Sequence, residues 1–312
     1  VAPWLFLVFH AQGWEFFAAF FGKHNLGRFT GTMEGHGGSL FYYVYVFPFV
    51  ILPFTGLLVV LATRWRKLVR DPLGRFCLTW FAVVLLIFSF SNTQLPHYVL
   101  NAVVPLAILC AREALARVSP MVLAVPALFL FLIIGLAISV GSGLINANEH
   151  VSAMLLLGRE VFDTSWLVSA GVALALVLLV VFLPRVSTWQ KLVLSGFVQN
   201  AFVFSLFVPA VAGMQQQPVK DAAMIARTLG RPIVAYAIHM PSFSVYRDAI
   251  TPHRMPGEGE IVFTRNDRVA ELRERLAGQN LGAQPIFAKG AIRLLLVHPL
   301  SSPKESEVEA LP

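Results

Sequence analysis

The sequence predicts an α-helical polytopic membrane protein with a small C-terminal α/β soluble domain, and three observations carry that prediction. The 312 residues are 57% hydrophobic and only 13% charged, about half the ~25% charged share usual in soluble domains. The deficit is local: residues 40–63, 121–141, 166–183 and 192–213 contain no Asp, Glu, Lys or Arg. Each of these approaches or exceeds the ~18–20 apolar residues that cross about 30 Å of hydrocarbon. After Gly213 the composition changes abruptly to polar residues interleaved with short apolar runs.

The transmembrane domain is expected over 1–213, with six spans at about 40–63, 76–93, 95–111, 121–141, 166–183 and 192–213. The segments 76–93 and 95–111 are shorter but equally free of formal charge. The chain opens on Val1-Ala2-Pro3-Trp4, without Met and already apolar. No basic n-region or small-residue cleavage site marks a signal peptide, so Val1–Phe9 reads as the tail of a truncated span and the sequence as a C-terminal fragment. Cys77 and Cys110 fall in apolar spans and read as small core residues. Gln199 and Asn200, inside the last span, are expected to hydrogen-bond between helices.

Loop charge sets the orientation. Loop 64–75 holds Arg64, Arg66, Lys67, Arg70 and Arg75 against Asp71, loop 112–120 holds Arg112 and Arg117 against Glu113, and turn 184–191 holds Arg185 and Lys191. The alternating set comprises 10–39, the tight turn at 92–97, and 142–165, where Arg159 faces Glu149, Glu160 and Asp163. Lys and Arg accumulate on the cytoplasmic side, which places residues 214–312 in the periplasm or its equivalent. The formal charge of +7 is thus a topology signal, and no nucleic-acid partner follows from it.

In the tail, Met214-Gln215-Gln216-Gln217-Pro218 reads as a polar linker. A helix is expected over Val219–Leu229, then a strand at Pro232–Ala237, a helix from Ser242, a strand at Glu260–Thr264, a helix at Asp267–Leu276 and a strand at Ala291–His298. Helices alternating with short strands indicate an α/β unit over 214–300. Residues 301–312, rich in Ser, Pro and Glu, read as a disordered tail. The tail has no nucleotide fingerprint, glycine-rich phosphate loop or zinc spacing, so no chemistry is assigned to it.

Two outer segments hold the polar chemistry. In loop 10–39, Trp14-Glu15-Phe16-Phe17-Ala18-Ala19-Phe20-Phe21 is too short to span and suits a helix lying in the membrane interface. It is followed by Lys23, His24, Arg28, Glu34 and His36 on a glycine-bearing stretch. Such a loop suits a lipid phosphate, with Arg as a two-pronged donor, Lys as a point charge and His as a further donor. The same residues also suit plain interfacial anchors reaching toward headgroups. The second segment is Ser91-Asn92-Thr93-Gln94-Leu95-Pro96-His97-Tyr98, a polar turn on the same face. By spacing alone it better suits a helix cap with Pro96 starting the next helix. His10, His24 and His36 share one loop but match no zinc spacing, so no metal ligands are assigned; a divalent metal ion is left open as cofactor.

The order Ala2-Pro3-Trp4, Lys23-His24-Asn25-Leu26-x-Arg28-Phe29, Gly35-His36-Gly37-Gly38, Tyr42-Tyr43 and Ser91-x-Thr93-x-Leu95-Pro96-x-Tyr98 resembles the polyprenyl-phosphate-dependent membrane glycosyltransferases. That group holds the aminoarabinose transferase acting on lipid A and, more distantly, the protein O-mannosyltransferases. The resemblance covers about residues 1–115. It implies a C-type membrane glycosyltransferase fold in the inner (plasma) membrane. It also implies transfer of a sugar from a polyprenyl-phosphate carrier to lipid A, another glycan or a protein at the outer face, among membrane lipids.

By the same resemblance, Arg28 and His36 contact the carrier phosphate or a bound divalent ion, with Lys23 beside them, while Tyr98 and Tyr43 line the donor pocket. Gln94 stands where relatives carry Lys in a Ser-x-x-Lys-Leu-Pro-x-Tyr pattern, so one charge is missing from that wall of the site. The essential acid of relatives lies in a first outer loop upstream of Val1, which leaves the catalytic residue unknown here. The competing classes are a transporter or flippase, which calls for ionisable residues at mid-membrane or paired broken helices, and a non-catalytic scaffold presenting the periplasmic domain. The spans carry no central charge and no repeat, and a scaffold leaves loop 10–39 unexplained.

Overall fold

The computed structural model of the chain describes residues 1–31, 38–114, 119–145 and 147–300, the side chains of 23–26, 28, 29 and 114 excepted. In chain order the helices begin with α1 (Ala2–Phe17), which runs into a π-helical stretch at Ala18–Leu26, and α2 (Gly27–Thr30). They continue with α3 (Tyr42–Val50), α4 (Gly56–Thr63), α5 (Trp65–Arg70) and α6 (Pro72–Ser89). A 3₁₀ turn at Pro96–Val99 leads into α7 (Leu100–Leu109), which ends in a π turn at Cys110–Ala114. Then follow α8 (Ala124–Gly141), α9 (Glu149–Leu155), α10 (Gly158–Val161), α11 (Thr164–Phe182), α12 (Thr188–Phe202) and α13 (Val208–Thr228).

Five helical stretches among the described residues are long and apolar enough to cross a membrane: Ala2–Gly22, Pro72–Ser89, Pro120–Gly141, Thr164–Phe182 and Thr188–Thr228. The segment 40–63 is helical as α3 and α4 with a turn between them, and Pro48 and Pro53 lie in and just after α3. Each Pro removes a backbone donor and crowds the preceding turn. In α1, Gly13 takes φ 66° and ψ −158°, a conformation open essentially to glycine alone. The backbone therefore breaks between Val1–Phe9 and the aromatic stretch from Trp14.

The chain divides into two compact units, residues 1–129 with 176–199, and residues 130–175 with 200–312. In the first unit α3, α6 and α7 share a core of Tyr43, Phe47, Cys77, Val99, Ala102 and Leu106. Asp71 caps α6 by accepting from the Gly74 amide at 2.6 Å. Gly74 itself passes so close to α5 that a Cβ there would lie 2.2 Å from the Leu68 carbonyl oxygen. Gln199 is buried, and its Oε1 has no partner among the described residues, while Asn200 is exposed. The interhelical hydrogen bond expected of this pair is therefore not made through that oxygen.

The second unit contains a four-stranded sheet in the order β1-β2-β4-β3. Its strands are β1 (Ile233–Ala235), β2 (Ile261–Arg265), β3 (Leu281–Lys289) and β4 (Ile292–Pro299). β1 pairs with β2 in parallel, and the other neighbours are antiparallel. Alternate strand residues point to opposite faces. Ile233, Ala235, Ile261, Phe263, Ile292 and Leu294 pack on Val219, Ala222, Ala223 and Ala226 of α13. Val234, Val262, Leu295 and Val297 pack on Leu272 and Leu276 of α15 (Val269–Ala277). Phe243, from α14 (Pro241–Arg247), stacks on Phe263 at 3.9 Å. Burying a side chain as completely as Leu272 or Leu294 contributes roughly 1.5–3 kcal/mol.

Residues 214–218, expected as a linker, are helical and continue α13. The reason is packing downstream. Val219, Ala222, Ala223 and Ala226 recur at helical spacing and are buried against the sheet, and Ser242 Oγ donates to Gln216 Oε1 at 2.9 Å. Tertiary contact of this kind outweighs the weak local preference of a Gln-rich, Pro-ended stretch.

Candidate functional site

The polar turn between α6 and α7 is not a solvated cap. Ser91, Thr93 and Gln94 are 5%, 2% and 4% exposed, and buried polar groups are stable only when hydrogen-bonded. The hydrogen bonds tie three segments of the first unit together. Thr93 Oγ1 donates to the Gly31 carbonyl at 3.0 Å, joining the turn to the end of the Gly27–Thr30 helix. Ser91 Oγ donates to the Thr93 carbonyl at 2.9 Å, and Gln94 Nε2 donates to the Ser89 carbonyl at 3.0 Å.

Tyr43 anchors the turn to α3. Its hydroxyl donates to the Leu95 carbonyl at 3.1 Å and accepts from the Leu95 amide at 3.2 Å, so one side chain satisfies both backbone groups of a residue in the turn. Tyr98 lies on the 3₁₀ turn, with its ring 5.2 Å from Phe88 and 4.8 Å from His97, and it packs against the same apolar cluster as Tyr43.

Gln94 and Gly38 meet closely. A Cβ on Gly38 would lie 1.9 Å from Gln94 Oε1, so any side chain there requires the Gln94 carboxamide to move. Gln94 Oε1 is buried and makes no hydrogen bond among the described residues. A buried acceptor without a partner is costly, and here it faces the end of loop 10–39.

The structure thus places Tyr43, Gln94 and Tyr98 about one turn. Lys23 and Arg28 lie on the helical stretch 18–30, but their side chains, and the whole of His36, lie outside the described residues. Beside the turn runs an open apolar groove of about 440 Å³ that includes Leu40, Tyr43, Phe81, Leu85, Ser89 and Phe90. Among the described residues no group of three or more His, Cys, Asp or Glu side chains is placed to hold a metal ion.

Sequence reading missed two participants, the backbone of Leu95 and Gly38. Leu95 is apolar and its contribution is main-chain only, so side-chain chemistry gives no sign of it. Gly38 stands in the Gly35-His36-Gly37-Gly38 motif, which assigns it no role of its own.

At the opposite end of the same unit, the basic loops form an ion cluster. Glu113, 5% exposed, accepts from Lys67 Nζ at 2.8 Å, Arg64 Nη1 at 3.1 Å and Arg112 Nε at 3.1 Å. Arg112 Nη1 also reaches Asp71 Oδ2 at 2.6 Å. The Lys67 ammonium, reinforced by Arg64 and Arg112, holds the Glu113 carboxyl below the usual carboxylate range. The Arg112 guanidinium and then the Gly74 amide do the same for Asp71.

No family model matches the chain. In sequence it is similar to the undecaprenyl phosphate-α-4-amino-4-deoxy-L-arabinose arabinosyl transferase 2 of Proteus mirabilis (strain HI4320), 33% identical over 111 residues, covering 35% of this chain and 20% of that protein. The corresponding transferase of Serratia proteamaculans (strain 568) is 33% identical over 113 residues, covering 36% of this chain and 20% of that protein. The chain therefore spans about a fifth of the length of the curated relatives it matches. In fold it is similar to ArnT from Cupriavidus metallidurans bound to undecaprenyl phosphate, with a TM-score of 0.61 and 19% identity, covering 97% of this chain and 60% of that one. The apo state of the same protein gives a TM-score of 0.63 at 18% identity, covering 97% of this chain and 59% of that one. The resemblance to polyprenyl-phosphate-dependent membrane glycosyltransferases holds in sequence over about a third of the chain, and the helical fold with a small C-terminal sheet holds in the structural comparison.

Proposed function

We propose that this chain, similar in sequence and fold to the polyprenyl-phosphate-dependent membrane glycosyltransferases, forms part of an enzyme that moves a sugar from a polyprenyl-phosphate carrier to an acceptor at the outer face of the inner membrane. The names of the relatives favour an aminoarabinose-type sugar on undecaprenyl phosphate. The resemblance read from the motifs favours lipid A as acceptor. Loops 64–75, 112–120 and 184–191 are inside, and the sheet-bearing domain is periplasmic.

The observation that carries the reading is the pairing of a buried, pinned polar turn with an apolar groove beside it. A polyprenyl phosphate has the same two parts, an apolar tail and an anionic head. The groove at Phe81 and Leu85 takes the tail. Loop 10–39 supplies Lys23, Arg28 and His36 to the phosphate, and Tyr98 borders the sugar. As the sugar leaves, negative charge builds on the carrier phosphate, and cations fixed at a poorly hydrated site stabilise it more than cations in water do. The general base is left unassigned. Spans without central charge offer a transporter no ionisable relay, which disfavours that alternative.

A photoreactive polyprenyl phosphate tests the reading on the full chain. Labelling is expected in the peptides holding Phe81–Phe90, and it should be suppressed by unlabelled polyprenyl phosphate but not by the corresponding alcohol. Labelling that the alcohol suppresses equally well contradicts a phosphate-reading site.

A further inference from the structure

The first unit holds a second cavity that shares no residue with the groove beside the polar turn. It measures about 360 Å³, and its walls include Ile51, Phe54, Leu57, Leu106, Ala107 and Trp189. Phe54 stacks on Trp189 at 5.7 Å. Ala107 and Ala111, both exposed, lie on one rim, so the cavity opens sideways along the helix face.

This cavity adjoins the basic end of the unit. Cys110 and Ala111 line it, and Arg64 Nη1 donates at 2.8 Å to the carbonyl of Glu113 on the same π turn. In sequence, the loop 64–75 that Arg64 ties to this π turn, together with Arg112 and Glu113, sets Arg64, Arg66, Lys67, Arg70, Arg75 and Arg112 against two carboxylates, Asp71 and Glu113. Arg64, Lys67 and Arg112 are engaged by those carboxylates. Arg66 and Arg70 are exposed and make no ion pair among the described residues, and Arg66 sits 5.7 Å from the Trp65 ring. An apolar slot lined by Trp189, next to a π turn tied to a loop with surplus cations, has the composition of an interfacial lipid site.

We propose that this cavity holds one acyl chain of an anionic diacyl phospholipid of the cytoplasmic leaflet, with its headgroup on Arg66 and Arg70. The proposal rests on the orientation given by the basic loops and does not depend on the donor site. The surplus charge selects an anionic over a zwitterionic headgroup, and the separate lining residues distinguish this lipid from the carrier.

The test uses the full chain in vesicles. Phosphatidylglycerol brominated at mid-chain is expected to quench the fluorescence component that Trp189→Phe removes. Phosphatidylcholine with the same brominated chains should bind at least about fivefold more weakly, since each membrane-facing cation contributes about a fivefold preference for anionic lipid. The double variant Arg66→Gln/Arg70→Gln should erase that preference, and Ala107→Phe should abolish the quenching. Equal quenching by the two lipids overturns the proposal. So does a preference that survives Arg66→Gln/Arg70→Gln, or displacement of the brominated lipid by lower concentrations of polyprenyl phosphate than of phosphatidylglycerol.

Discussion

Tyr43 and Leu95 are joined twice: the Tyr43 hydroxyl donates to the Leu95 carbonyl at 3.1 Å and accepts from its amide at 3.2 Å. Tyr43 itself is 1% exposed. This pair of hydrogen bonds to the main chain holds the polar turn against α3.

Tyr43→Phe keeps the ring in the core and removes both hydrogen bonds, leaving the Leu95 amide unpaired while the Leu95 carbonyl still accepts from the Tyr98 amide at 3.1 Å. The expected loss is roughly 1–3 kcal/mol of stability, read as a lower unfolding temperature in detergent. Polyprenyl-phosphate binding should weaken as the turn loosens. An unchanged unfolding temperature would show that the turn is held by other contacts.

Gly38→Ala displaces the Gln94 carboxamide and should destabilise the protein by about 1 kcal/mol, the low end for overpacking because the displaced group ends a flexible side chain. Gln94→Ala removes that oxygen, so Gly38→Ala should cost less in a Gln94→Ala background than alone. A double-mutant cycle on unfolding temperature measures this coupling, and additivity would contradict the contact. Gln94→Lys removes the same oxygen and keeps a donor for the Ser89 carbonyl. It should leave donor binding intact or tighten it.

The helical and strand segments of the C-terminal unit were legible wherever burial imposes a period. Val219, Ala222, Ala223 and Ala226 repeat at helical spacing, and β4 alternates Ile292 and Leu294 with Leu295 and Val297 across the sheet. β3 was missed because it lies at the sheet edge, most of its residues are partly or fully exposed, and it contains Gly282 and Pro285. Proline is tolerated in edge strands, where a ladder donor can be spared. At the candidate site, the polar turn and Tyr43 could be named from residue type. The Gly38–Gln94 contact joins residues far apart in the chain without any periodic pattern, so it is visible only in three dimensions.

Both Glu113 and Asp71 have carboxyls held below the ordinary range by their cationic neighbours. A depressed folded-state value means the stabilisation is fully present above the ordinary carboxylate range and is lost as pH falls through the depressed values. Glu113→Gln should therefore lower the unfolding temperature at neutral pH, where three cations lose their shared partner. The gap to wild type should narrow as the pH is taken below about 4. A gap independent of pH would assign the effect to shape and not to charge.

In the proposed function loop 10–39 grips a lipid phosphate, and the decisive measurement is the affinity of Arg28 variants of the full chain for a polyprenyl phosphate. A charge-assisted hydrogen bond is worth roughly 1.5–3 kcal/mol, or about ten- to a hundredfold in affinity. Arg28→Ala should weaken binding at least about tenfold at unchanged folded yield. Arg28→Lys, which keeps the charge but loses the planar fork, should fall between Ala and wild type. An interfacial anchor backed by Lys23 tolerates both changes, so wild-type affinity in Arg28→Ala would contradict the account.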